Sequence, residues 1–228
     1  MHTQAATSLL HATGLTATLT GDAGPVRVLD GVEFAIRVGE IVDVVGPSGS
    51  GKSTLLRALA WLLPGAGGAL ELDGRPHESM SPQEWRALVA LVPQKPAIID
   101  ATVERNLLVP WTLKARSAHT APRAERLREA LDSVGLSDVA LDRSALRLSV
   151  GQQARIAFVR VLLTAPRVLL LDEAEAALDD TSAQFLSQAC SHFASEGGGI
   201  VRVRHRTTDG LAARRLTMQH GRLEEVAP

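Results

Sequence analysis

The sequence predicts a mixed α/β fold: a parallel, twisted sheet with helices on both faces, an antiparallel β portion near the N-terminus, and a helical lobe over roughly 95–150. Three observations predict it. Short apolar strand candidates alternate with helical patterns, the order that builds parallel sheets. A glycine-rich loop joins one of these strands directly to a helix. From Pro96 to Arg147 the chain turns helical and polar. The 228 residues are enough for one sizeable core, and 1–228 reads as a single functional unit.

In chain order, Gly21 to Pro25 reads as a hairpin loop, and Val26 to Ile36 alternates imperfectly, as an irregular strand does. Glu40 to Val45 is a short apolar strand ending at Gly46. A helical pattern follows from Ser53 to Leu63, stopped by Pro64-Gly65. Ala69 to Leu72 is a strand before an Asp73-Gly74 turn. Ser81-Pro82 caps a short helix through Ala87, and Leu88 to Val92 is a buried strand. Arg123 to Val134 is an amphipathic helix with Leu127, Ala130, Leu131 and Val134 on one face. Ser149 caps a helix through Leu163. Val168 to Leu171 is an apolar strand running into Asp172-Glu173. Phe185, Leu186, Ala189, Cys190 and Phe193 form the apolar face of another helix, and Ile200 to Val203 is a last core strand.

Composition removes several function classes. A hydrophobic content of 45% argues against disorder. A net charge of −1 gives no global field for nucleic acid or an anionic membrane. Cys190 is the only cysteine, so no intrachain disulfide forms and the expected compartment is reducing. Met1 to Thr20 lacks the order of a secretory signal, and no window approaches 18 apolar residues, so any membrane role needs a partner.

The chemistry starts at Gly46-Pro47-Ser48-Gly49-Ser50-Gly51-Lys52-Ser53, a full match to G-x-x-x-x-G-K-[ST] that follows a strand and opens a helix. Its glycines let backbone N–H groups approach phosphates, and the helix N-terminus adds positive partial charge at the same point. Lys52 is placed to reach the β- and γ-phosphates of ATP, Ser53 offers its hydroxyl to Mg²⁺, and Thr54 completes the cradle. Val168 to Glu173 has the form of an apolar strand ending in carboxylates. Asp172 is the candidate Mg²⁺ ligand and Glu173 the candidate general base. A strand ending in Asp-Glu is common; its place about 120 residues after a phosphate loop gives it weight.

Leu148-Ser149-Val150-Gly151-Gln152, continued by Gln153-Ala154-Arg155, resembles the Leu-Ser-Gly-Gly-Gln signature of the ABC ATPase family. The resemblance covers nearly the whole chain, and it implies a P-loop NTPase core of ABC type. In that family the signature completes the site of the opposite subunit in a head-to-tail dimer. Ser149, Gly151 and Gln152 would then face the γ-phosphate of the neighbouring copy, again at a helix N-terminus. Val150 departs from glycine, and its Cβ excludes a positive φ. Gln94 resembles the glutamine that senses Mg²⁺ and water, Ala177-Leu178-Asp179 the loop that crosses the dimer interface, and His205 the switch histidine. Arg204 and Arg206 replace the usual neighbours of that histidine.

The resemblance further implies an integral membrane transporter subunit and a second ATP-binding subunit as partners. It implies no nucleic acid, and a cytoplasmic place on the inner face of the cell membrane. Val103 to Leu113, with Pro110-Trp111, is similar to the small ATPase subunits of proposed bacterial iron exporters; a plain core role for Trp111 is the alternative. A soluble ABC ATPase of DNA repair or translation would carry coiled-coil insertions, zinc sites or a second cassette, and a small P-loop kinase would not explain Leu148 to Gln152. The family stacks adenine on an aromatic 20–27 positions before the phosphate loop. This chain has no tyrosine, and Thr18 or Leu19 falls at that place.

Overall fold

The computed structural model describes residues 8–21, 24–116, 118–176, 178–204 and 209–225. The first two strands, β1 (Ser8–Gly21) and β2 (Gly24–Arg37), pair antiparallel as a long hairpin. Val32, Phe34 and Ile36 of β2 are buried, the alternation expected of a strand with one wet face, and Leu29 is buried out of that phase. Next come β3 (Ile41–Val45) and α1 (Lys52–Leu59).

The helix α1 ends at Leu59, short of the expected Leu63. Trp61 takes a left-handed conformation with φ 52°, and its N–H returns to Ala58 O while Leu62 N–H returns to Arg57 O. This pair of bonds satisfies the last carbonyls and turns the chain out of the helix before Pro64 is reached. β4 (Gly67–Leu72) adds antiparallel to β1, and β5 (Arg75–Pro76) follows the Asp73-Gly74 turn. α2 (Pro82–Leu88) starts with a capping box in which Ser81 and Glu84 satisfy each other's backbone N–H groups. It leads into β6 (Val89–Val92).

Between β6 and the next strand lie α3 (Val103–Thr112), α4 (Ala124–Asp132) and α5 (Val150–Leu162), linked by single 3₁₀ turns. Leu127, Leu131 and Val134 are buried, as the amphipathic pattern predicts. Arg155 of α5 is also buried, and its guanidinium donates to Val134 O at 2.9 Å and Gly135 O at 3.0 Å. Those bonds close the carbonyl end of the segment after α4. The chain then forms β7 (Val168–Asp172), α6 (Asp180–Ser195), β8 (Gly199–Val203), β9 (Arg214–Gln219) and β10 (Arg222–Glu225).

β8 is therefore not the last core strand. β9 pairs parallel with β3, and β10 folds back antiparallel along β9. In β9 only Leu216 and Met218 are buried, among Arg214, Arg215, Thr217 and Gln219, so the apolar signal is thin. One sheet has the order β2-β1-β4-β5, and the other β10-β9-β3-β8-β7-β6. The second sheet separates two cores. On one face Val42, Val44, Leu170 and Val201 meet α1 and the antiparallel sheet. On the other Ile41, Leu169, Leu171 and Ile200 meet α3 to α6. β3, β6, β7 and β8 run parallel, so the loops that follow them gather along one edge, where ligands of such sheets bind.

Candidate nucleotide site

The loop Gly46–Gly51 leaves β3 at that edge and opens α1. Gly46 has φ 145°, and a Cβ there would sit 2.4 Å from Met218 O, so no other residue fits against β9. Gly51 caps α1 with φ 104°, and its Cβ would meet Val28 at 3.0 Å. The backbone of the loop is thus pinned between two strands. Lys52 is buried and folds over the loop, donating to Gly46 O at 2.9 Å and Pro47 O at 2.8 Å. Ser50 Oγ is buried without a hydrogen-bond partner among the described residues.

Two carboxylates arrive from β7. Ser53 Oγ donates to Asp172 Oδ1 at 2.9 Å across 119 residues of sequence. Burial pushes the Asp172 carboxyl above the ordinary aspartate range; the Ser53 hydrogen bond opposes that and the Glu173 charge adds to it. Glu173 takes a left-handed φ of 50°, a conformation a non-glycine residue holds only under constraint. Gln94, exposed after β6, donates from Nε2 to Glu173 Oε2 at 2.8 Å across 79 residues. Ser53, Gln94 and Glu173 line a concavity of about 500 Å³ with Ser48, Gly49, Gly51, Lys52 and Thr54, and Asp172 stands behind Ser53, outside the wall itself.

Leu19 and Val28 form the apolar side of the same concavity, and Thr18 does not line it. Of the two positions the sequence left open, Leu19, 40% exposed, is the one that borders the concavity. Val28 gave no signal in the sequence, because its role comes from the register of β1 with β2.

Ser149, Gly151 and Gln152 are not in this wall. They sit at the start of α5, where the Ser149 hydroxyl accepts from Gln152 N at 3.2 Å and Gln152 Oε1 accepts from Ser149 N at 3.1 Å. Val150 is the first residue of the helix, so its position needs no positive φ and the concern raised by its Cβ does not apply. Its side chain is 60% exposed. Asp179 is the N-cap of α6, and its carboxylate accepts from Ser182 N at 2.8 Å. His205 and Ala177 lie outside the described residues. Among those described, no cluster of three His, Cys, Asp or Glu residues could hold a metal, and no helix is long and apolar enough to cross a membrane.

The family model described as "ABC transporter" matches residues 29–176, which contain the phosphate loop, Gln94, Ser149 and the Asp172-Glu173 pair. The chain belongs to the ABC transporter family. As an ABC ATPase it binds and hydrolyses ATP, with transport as the process it powers. Among its relatives, it is 33% identical over 174 residues to the probable iron export ATP-binding protein FetA of Escherichia coli strain K12, covering 76% of each chain. It is 38% identical over 201 residues to the hemin import ATP-binding protein HmuV of Nocardia farcinica, covering 86% of this chain and 68% of that one. Its fold superposes on the dimeric structure of MJ0796, a bacterial ABC transporter cassette, with a TM-score of 0.79 at 25% identity, covering 94% and 96% of the two chains. The same cassette has been seen as a dimer in a post-hydrolysis state bound to ADP and Pi, with the same TM-score. Such cassettes dimerise and work with transmembrane components.

Proposed function

We propose that this ABC ATPase is the motor of a transporter whose membrane-spanning part is a separate subunit, that the transported species is a metal, iron, moved outward, and that two copies form the working dimer. The observation that carries the catalytic part is the meeting of Ser53 with Asp172 and of Gln94 with Glu173 beside the phosphate loop. The metal reading is supported by the Val103–Leu113 segment and by the similarity to a probable iron export protein. The chain works at the inner face of the cell membrane, bound there through its partner. The coiled-coil insertions and zinc sites of a DNA-repair or translation ATPase have no counterpart within these 228 residues.

The chemistry follows from the side chains. An entering triphosphate gives the Lys52 ammonium a stronger acceptor than the Gly46 and Pro47 carbonyls, so Lys52 turns to the β- and γ-phosphates. The loop N–H groups and the unpartnered Ser50 hydroxyl meet phosphate oxygens. Ser53 and Asp172, with Gln94, would hold Mg²⁺, because a hydroxyl, a carboxylate and an amide carbonyl are the hard oxygen donors that ion takes, and it would neutralise phosphate charge. Glu173 accepts a proton as a water oxygen bonds to the γ-phosphorus. The bond from that phosphorus to the bridging oxygen breaks, and ADP leaves. Ser149, Gly151 and Gln152 of the second copy close the γ-phosphate side.

The membrane subunit has a fitting place. A groove of about 720 Å³ lies between α2, α3 and α5, floored by apolar residues that include Leu91, Val109 and Val161. Arg86, Arg116 and Arg160 line it, each donating to backbone carbonyls, and among the described residues no Asp or Glu does. A cytoplasmic segment of the partner with an apolar face and acidic flanks matches this surface.

The catalytic claim is tested by Glu173→Gln, which keeps the shape and removes the base. Turnover is expected to fall on the order of 10²–10⁴-fold with ATP binding retained. Hydrolysis near the wild-type rate would remove Glu173 from the mechanism. The docking claim is tested by co-expressing an integral subunit and fractionating membranes. Wild-type chain is expected to co-sediment only with that subunit, and Arg160→Glu to stay unbound; equal recovery of both would contradict it.

A further inference from the structure

Two strands of the parallel sheet carry a charge where an apolar residue would fit. Asp43 of β3 and Arg202 of β8 pair in register, and each side chain is 1% exposed. Arg202 Nε donates to Asp43 Oδ1 at 2.7 Å. The other two guanidinium nitrogens donate to the two oxygens of Asp209, at 2.9 and 3.1 Å. Asp209 also accepts from Ser187 Oγ of α6 at 3.0 Å and from Leu211 N at 3.2 Å. Arg204, just past β8, brings Nη1 to 2.8 Å from Asp209, and its Nη2 donates to Glu175 Oε2 at 2.7 Å. Burial alone would raise the Asp209 carboxyl, but hydrogen bonds and charge from Arg202 hold it well below the usual carboxylate range.

Glu175 stands two residues beyond Glu173, in a turn where Ala176 N donates to Glu173 O at 2.9 Å and Leu178 N to Glu175 O at 3.1 Å. At the near end of this turn Glu173 N donates to Val203 O at 3.1 Å. The turn is therefore held to the end of β8 twice, by Val203 at the start and by Arg204 through Glu175. Glu173, at the first of these anchors, carries the left-handed φ of 50°.

We propose that Glu175 and Arg204, braced by Arg202, Asp43 and Asp209, are positioning residues for Glu173: their ion pair fixes the strained turn so that the Glu173 carboxylate stays beside Gln94 at the phosphate loop. This rests on the reading of Glu173 as the base. Well-packed apolar side chains of similar volume often replace a buried ion cluster at no cost in stability, so the contribution of this one lies in geometry. A displacement of about 1 Å at a reacting group costs on the order of 10²-fold in rate.

The test compares steady-state ATPase rates, nucleotide titrations and thermal unfolding for the full chain, Glu175→Gln, Arg204→Lys, and the double variant Glu175→Gln with Arg204→Gln. The expected result is a kcat lower on the order of ten- to hundredfold at unchanged KM for ATP and unchanged nucleotide affinity. The double variant is expected to be no slower than Glu175→Gln, because the pair acts as a unit. A purely structural role would lower the melting temperature and the fraction of chain that binds nucleotide, yet leave kcat per binding-competent molecule within about twofold of wild type. That outcome overturns the proposal. If Glu175→Gln fails to fold, Arg204→Lys carries the same expectation, since it keeps the charge and loses the second nitrogen of the fork. Glu173→Gln, measured alongside, separates the two claims. Full activity there removes the base itself, whereas inactivity there with normal kcat in Glu175→Gln removes only the positioning role.

Discussion

Leu19 and Val28 are the apolar residues in the wall beside the phosphate loop, and the proposed mechanism sets the nucleotide base against them. An aliphatic pair offers contact area but no π face, and stacking on an aromatic is worth about 1–3 kcal/mol for bases bound by proteins. Wild-type protein is therefore expected to bind ATP weakly and to discriminate poorly against GTP in a competition titration. Leu19→Trp is expected to tighten ATP binding by about 1 kcal/mol or more, and Thr18→Trp, at a residue that does not line the concavity, to change nothing. Strong ATP selectivity in the wild type would show that stacking is supplied by another route. At this scale the sequence was generous with the residues of the phosphate loop, because G-x-x-x-x-G-K-[ST] states a backbone conformation and a ligand chemistry together. It was silent on Glu175 and Arg204. Their meeting depends on how β7 and β8 lie side by side, which no local pattern encodes. The one visible clue to the ion cluster was a charge inside each of two apolar strands, Asp43 and Arg202.

Elements were readable wherever an apolar period coincided with a cap. α5 begins at Ser149 with a capping box and α2 at Ser81 with another, whereas the sequence of α6 shows only its apolar face and its Asp179 N-cap reads as loop. Where a boundary depended on a left-handed non-glycine residue, as at Trp61, the sequence overran it. β9 was lost because polar residues outnumber its two buried ones, although pairing with β3 gives the strand its place. The packing of α6 gives a clean probe of element stability. Cys190, the only cysteine, is fully buried on that helix, and burial pushes its thiol up to about 12. Thiolate is the reactive form, so alkylation of the native protein near pH 8 is expected to be at least about tenfold slower than in denaturant. Labelling at the denatured rate would mean that α6 opens freely from β8 and from the cluster around Arg202.

At the scale of the molecule, the proposed mechanism gives one chain two half-sites. The concavity at the phosphate loop contains Lys52, Ser53, Gln94 and Glu173, while Ser149, Gly151 and Gln152 lie elsewhere, at the exposed N-terminus of α5. A parallel sheet with all its site loops on one edge makes the first half, and a helix start on the α3–α6 side of the sheet makes the second. The order of these motifs along the sequence announced both halves, but only the fold shows that they do not meet within a chain. The account therefore requires that a second copy complete the site, and mixing two inactive variants measures that directly. Lys52→Ala removes the phosphate contact from its own concavity, and Ser149→Arg blocks the helix start that would close a neighbour's. Each variant alone is expected to hydrolyse ATP on the order of 10²-fold or more below wild type, since each loses charge stabilisation in the transition state. Mixing them gives some dimers in which one site has both its native lysine and its native serine, and ATPase activity is expected to return in part. Full activity of Ser149→Arg on its own, as a monomer at every protein concentration, would contradict the composite site.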